Sequence, residues 1–118
     1  MFGIFGGGPK LSVADVQAGV DAGNMVLVDC RDTMELKMSG KAKGAIHVPL
    51  AAMAMKANPS SPECLPEFKS GKPIVLYCAS GARAAGAANM LRQMGHKDVE
   101  NLGGLNTWAS QGGDVVAA

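Results

Sequence analysis

The chain has 118 residues, enough for one domain with a real core and too few for two comfortable ones. Eleven Lys and Arg against ten Asp and Glu leave a formal charge of +1, and no basic run interleaved with aromatics occurs, so no nucleic-acid partner is expected. No apolar stretch approaches the roughly 20 residues of a membrane helix, and three cysteines at wide spacing with two histidines make neither a zinc pattern nor a disulfide scaffold.

The opening Met1-Phe2-Gly3-Ile4-Phe5-Gly6-Gly7-Gly8-Pro9-Lys10 lacks the basic and apolar regions of a secretory signal and the spacing of a phosphate loop. Residues 1–10 therefore read as a flexible tail, with the cytoplasm as the default location. Ser12 caps a first helix in which Val13, Val16 and Val20 recur at helical spacing until Gly23. Met25 to Cys30 is an apolar run that turns polar at its end, the pattern of a buried parallel strand. Asp32 or Thr33 starts a brief helix through Met38, Ala45 to Val48 is a short extended piece, Leu50 to Lys56 is helical, and Asn58-Pro59-Ser60-Ser61-Pro62 is a loop.

A further short helix over Leu65 to Phe68 precedes Ile74 to Cys78, the most strand-like run in the chain. Beyond Ala79-Ser80-Gly81-Ala82 comes an alanine-rich helix from about Arg83 to Met94, closed by Gly95. Val99 to Leu102 is a last strand, Gly103-Gly104 a turn, Leu105 to Gln111 a closing helix, and residues 113–118 a short tail. Strands alternating with helices predict an α/β domain over residues 11–112, with a mainly parallel central sheet covered by helices on both faces.

In such folds the site lies where strands end and loops cross to helices, and Cys78 stands there. Ala79, Ser80, Gly81 and Ala82 crowd nothing, so a loop built from them can aim several backbone N–H groups at the sulfur. The start of the following helix adds partial positive charge and Arg83 a full one. All of these favour a thiolate over a thiol and make Cys78 the candidate nucleophile. A buried strand cysteine is the plainer alternative.

Four segments in register carry a resemblance. Cys78-Ala79-Ser80-Gly81-Ala82-Arg83 resembles the C-x-x-G-x-R active loop of single-domain rhodanese-like sulfurtransferases, and Leu27-Val28-Asp29-Cys30-Arg31-Asp32-Thr33-Met34-Glu35 resembles that family's L-V-D-V-R-x-x-x-E segment. Gly40 to Pro49 is similar to G-H-I-P-G-A-x-N-I-P, and Asn101 to Trp108 to the L-x-G-G-x-x-x-W signature. Lys41, Ala42 and Lys43 depart from the third of these four, Cys30 replaces the usual Val, and Ala84 stands where many members carry Ser or Thr.

The resemblance implies a persulfide relay on Cys78. The thiolate takes sulfane sulfur from a small donor such as thiosulfate, and cyanide, a thiol or a protein sulfur acceptor removes it, with no metal and no organic cofactor. Arg83 would assist an anionic donor, the alternative being a salt bridge to a carboxylate. Asp29, Arg31 and Glu35 would form charged support near the strand end. Two rivals stand beside this reading: a sulfur-carrier or regulatory module without turnover, and a cysteine-dependent phosphatase or arsenate reductase. The latter enzymes typically place five residues between Cys and Arg, and here there are four.

The remaining residues read more plainly. Met34, Met38, Met53, Met55, Met90 and Met94 are expected as core filler, Trp108 as a packing anchor, and His47 and His96 as surface or helix-end residues without partners. Cys64 has no positive surroundings. Cys30 is expected to be buried; because it ends one strand as Cys78 ends another, a disulfide between them is the alternative.

Overall fold

The computed structural model describes residues 11–118; the expected tail over residues 1–10 lies outside the described residues. In chain order the elements are α1 (Val13–Asp21), β1 (Val26–Asp29), α2 (Thr33–Ser39), β2 (Lys41–Ala42), β3 (Ile46–His47), α3 (Met53–Lys56), β4 (Ile74–Cys78), α4 (Ala82–Gln93), β5 (Val99–Gly104), α5 (Leu105–Ser110) and β6 (Val115–Val116). Tight 3-10 turns cover Leu50–Ala52 and Pro66–Lys69.

Four strands form a parallel sheet in the order β3-β1-β4-β5. Every residue of β1 and β4 is buried, as their unbroken apolar runs require of strands covered on both faces. Side-chain alternation sorts them into two cores. Val26, Val28, Ile74, Leu76 and Cys78 face one core with Ala84, Ala87, Ala88 and Leu91 of α4; Leu27, Val75 and Tyr77 face the other with Val13, Val16, Leu105 and Trp108 of α1 and α5. Small alanines on α4 let that helix lie close to β4, the strand it follows. No helix among the described residues is long and apolar enough to cross a membrane.

Two helix starts are legible in the sequence for a physical reason. Ser12 and Asp32 each accept from the backbone N–H three residues on, while Asp15 and Glu35 bond back to the capping residue's own amide.

Three expectations need correction. Met34, Met38 and Met55 are exposed, at 64%, 82% and 42%, whereas Met53 is fully buried. The cause is the shortness of α2, whose buried side is Leu36 alone, so that Met34 and Met38, four apart, share its outer face. The histidines have partners: the Nε2 of His47 meets Arg31 O at 2.6 Å and that of His96 meets Ala57 O at 2.8 Å. Carbonyls only accept, so both Nε2 atoms carry the proton. Finally, residues 113–118 continue the structure, since β6 pairs antiparallel with β2, Lys41 opposite Val116 and Ala42 opposite Val115. The indole N–H of Trp108 donates to Asp114 O at 2.7 Å, which ties this segment to the core.

Candidate active site

Cys78 ends the central strand β4 and is fully buried. Its Sγ accepts from the amide of Gly81 at 3.0 Å and from that of Ala84 at 3.4 Å. The chain turns this sharply because Gly81 adopts a φ of 106°, the left-handed region that a Cβ resists. Burial by itself pushes the Cys78 thiol up; the amides of Ala84, Gly81, Ser80 and Arg83 together outweigh it and bring the pKa below the ordinary cysteine value. This is an anion cradle made of backbone, at the start of a twelve-residue helix.

The loop is held from below by β5. Asn101 donates through Nδ2 to Gly81 O at 2.9 Å and accepts from Gly103 N at 2.9 Å. A Cβ at Gly104 would collide with the carbonyl of Ala79, so this position admits no side chain while the loop keeps its place. In the sequence, Asn101 and Gly104 belong only to a signature. Their support of the loop becomes visible once β5 is known to lie beside β4.

Asp29, Arg31 and Glu35 do not form one group. Arg31 bonds Asp29 through Nε and Nη2, the latter at 2.7 Å, and also reaches Ser39 Oγ and Gly40 O. Tyr77 donates its hydroxyl to Asp29 at 2.6 Å and accepts from Ala42 N. This buried network is fully bonded and braces β1, β2 and β4.

Glu35 instead takes Arg83: Nη1 lies 2.5 Å from Oε1 and Nη2 2.8 Å from Oε2. The Arg83 guanidinium holds the Glu35 carboxyl down at about 2, and the pairing raises Arg83 in turn. Of the two readings of Arg83, the carboxylate partner is the one present.

Beside the loop lies a cleft of about 320 Å³, lined among others by Glu35, Met38, Ala79, Leu105 and Asn106. A larger cavity of about 470 Å³, near Ile74 and His96, lies at the other end of β4 from Cys78. Size therefore does not locate the chemistry here; the sulfur and its amides do. No three His, Cys, Asp or Glu gather as a metal cluster among the described residues.

A buried strand-end cysteine in a cradle of helix-start amides, on a parallel sheet flanked by helices, defines a class of cysteine-centred α/β domains. Within it, the family model of the rhodanese-like domain matches residues 12–111, and the chain belongs to that family. A protein named YqhL from Bacillus subtilis is 33% identical over 92 residues, 77% of this chain and 64% of its own length. A sulfurtransferase from Allochromatium vinosum is 32% identical over 98 residues, 82% of this chain and 83% of its own. Among solved structures, a Rhodopseudomonas palustris protein of unknown function, described as a possible tyrosine phosphatase, superposes with a TM-score of 0.79 at 34% identity, over 91% of this chain and 83% of that one.

Proposed function

We propose that this domain transfers sulfane sulfur through a persulfide on Cys78, taking it from a donor such as thiosulfate and passing it to a thiol, to cyanide or to a protein acceptor. The observation that carries this reading is the pair of amides on the Cys78 sulfur, at 3.0 and 3.4 Å. Fixed donors of this kind stabilise the attacking thiolate and equally the persulfide anion that replaces it, without a metal or organic cofactor. The Allochromatium vinosum relative, named a sulfurtransferase, supports sulfur transfer in general terms.

In the reaction, the Cys78 thiolate attacks the outer sulfur of thiosulfate, sulfite leaves with the bonding pair, and the loop amides receive the new terminal sulfur. An acceptor thiolate then attacks that sulfur and returns Cys78 to a thiolate. The test is the intact mass after incubation with thiosulfate, together with thiocyanate production from cyanide. Wild type and Cys64→Ser should both gain about 32 Da per persulfide, and Cys78→Ser should gain none. A stable added sulfur on Cys30 or Cys64 in Cys78→Ser would defeat the assignment.

One observation favours a second reading, a carrier that is loaded and unloaded by proteins. Arg83, the cation nearest Cys78 in sequence, is engaged by Glu35 and offers no free fork to an inorganic dianion. A carrier would acquire the added sulfur from a protein persulfide while forming thiocyanate only slowly from thiosulfate and cyanide.

A further inference from the structure

The transfer reaction leaves one neighbouring thiol unused. β1 and β4 run parallel with Asp29 opposite Tyr77, a pair flanked by the bond that Cys30 N–H donates to Tyr77 O at 3.0 Å. Continuing that register by one residue brings Cys30 alongside Cys78. Adjacent strands lie about 4.8 Å apart, within the Cα separation of roughly 4.4 to 6.8 Å that a disulfide requires. Both side chains enter the same core, alternating with Val28 on one strand and Leu76 on the other. The Cys30 thiol also leans toward β4, donating to Tyr77 O at 3.1 Å.

We propose that Cys30 resolves the Cys78 persulfide from within, closing a Cys30–Cys78 disulfide and releasing sulfide when no external acceptor arrives. This rests on the persulfide reading above. The Cys30 sulfur attacks the inner sulfur of the persulfide, the bond to the outer sulfur breaks, and that sulfur leaves with the electron pair and takes up the Cys30 proton. The Cys78 persulfide anion and the Cys30 thiol together give the Cys30–Cys78 disulfide and one hydrosulfide ion. Sulfane sulfur is reduced to sulfide, the two cysteines are oxidised to the disulfide, and no outside oxidant takes part. A dithiol reductant restores both thiols by exchange.

Geometry selects the inner sulfur. The Cys78 Sγ shares a core face with Cys30, whereas in the proposed transfer the outer sulfur would be received among the loop amides. Attack there would move the sulfur onto Cys30; attack at Sγ expels it. Burial, with the negative charges of Cys78 and Asp29 beside it, pushes the Cys30 thiol up to about 12. Cys30 thus stays protonated and slow, and an external thiolate acceptor takes the sulfur first whenever one is present.

The experiment loads the full chain with thiosulfate, removes small molecules in the absence of oxygen, and follows intact mass and trapped sulfide over time without an acceptor. Wild type should pass from about 32 Da above the reduced mass to about 2 Da below it, releasing one equivalent of sulfide and yielding a Cys30–Cys78 peptide under non-reducing digestion. Cys30→Val, which restores the family's usual residue, should load equally and keep its added sulfur at least about tenfold longer. Its loading demonstrates that it is folded. Equal persistence of the added sulfur in wild type and Cys30→Val, with no cross-linked peptide, overturns the proposal and leaves the transfer reading standing. If neither protein acquires the added sulfur from thiosulfate or from an alkyl persulfide, the transfer reading itself falls and takes the proposal with it.

Discussion

Arg83 follows Cys78 by only five positions, yet both arms of its guanidinium are taken up by Glu35. An arginine in that position orders the loop by tying the first turn of α4 to α2. Arg83→Ala should then lower kcat/KM for thiosulfate and for a singly charged alkyl persulfide by similar factors, with Arg83→Lys falling between it and wild type. A KM increase confined to thiosulfate would instead show the side chain recognising the anion.

The same pair makes a stability prediction. The Glu35 pKa is lowered from 4.5 to about 2, so its contribution is complete above about pH 4.5 and is lost as the pH falls toward 2. Glu35 is 29% exposed and Arg83 36%, so solvent holds the contribution to about 1 kcal/mol or less. In urea unfolding from pH 6 to pH 2.5, Glu35→Gln should start less stable than wild type and approach it at the acid end. A gap that stays constant with pH would remove the ion pair as its cause.

Elements differ in how openly the sequence declares them. β4 is five apolar or aromatic residues ending in the cysteine, and α4 is an alanine-rich helix behind a glycine, so strand, loop and helix could all be placed from local chemistry. Asp29, Arg31 and Glu35 could be placed near the strand end, but their division into two separate pairs depends on where α2 and α4 meet. β2 and β6 could not be foreseen, since two-residue strands have no period to detect and their pairing spans most of the chain.

The junction between β4 and α4 carries its own prediction. At Gly81 a Cβ would sit in the left-handed region and 3.3 Å from the Cα of Gly103. Gly81→Ala should cost more than about 1 kcal/mol and shift an amide off the sulfur. The pH midpoint of Cys78 alkylation by iodoacetamide should then rise toward the ordinary cysteine value. An unchanged midpoint would mean that the remaining amides are sufficient. Removing residues 114–118 tests β6 in the same way. It strips the buried Trp108 N–H of its acceptor, at about 1 to 3 kcal/mol, and should lower Tm by several degrees.

At the scale of the whole molecule, the order β3-β1-β4-β5 puts the cysteine strand inside the sheet, with β1 delivering Cys30 on one side and β5 delivering Asn101 and the two glycines on the other. A parallel sheet with a cysteine at a strand end is compatible with more than one chemistry, as the description of the Rhodopseudomonas palustris structure illustrates, so the choice rests on the loop. Four residues separate Cys78 from Arg83, and within that span the amide of Gly81, together with that of Ala84 just beyond it, already closes on a single sulfur atom. A tetrahedral dianion needs a wider ring of donors and a free cation, and Arg83 is held by Glu35. A leaving alkoxide also needs a general acid, and among the described residues Glu35, on the adjoining cleft, is kept ionised by Arg83. Wild type should therefore leave an aryl phosphate unhydrolysed under conditions where thiosulfate loads Cys78. Inserting one glycine between Ala82 and Arg83 should weaken thiosulfate use by displacing Arg83 from Glu35, and should not create phosphatase activity. Phosphate release by wild type that disappears in Cys78→Ser, with no persulfide formed from any sulfur donor, would reverse the choice between the two chemistries.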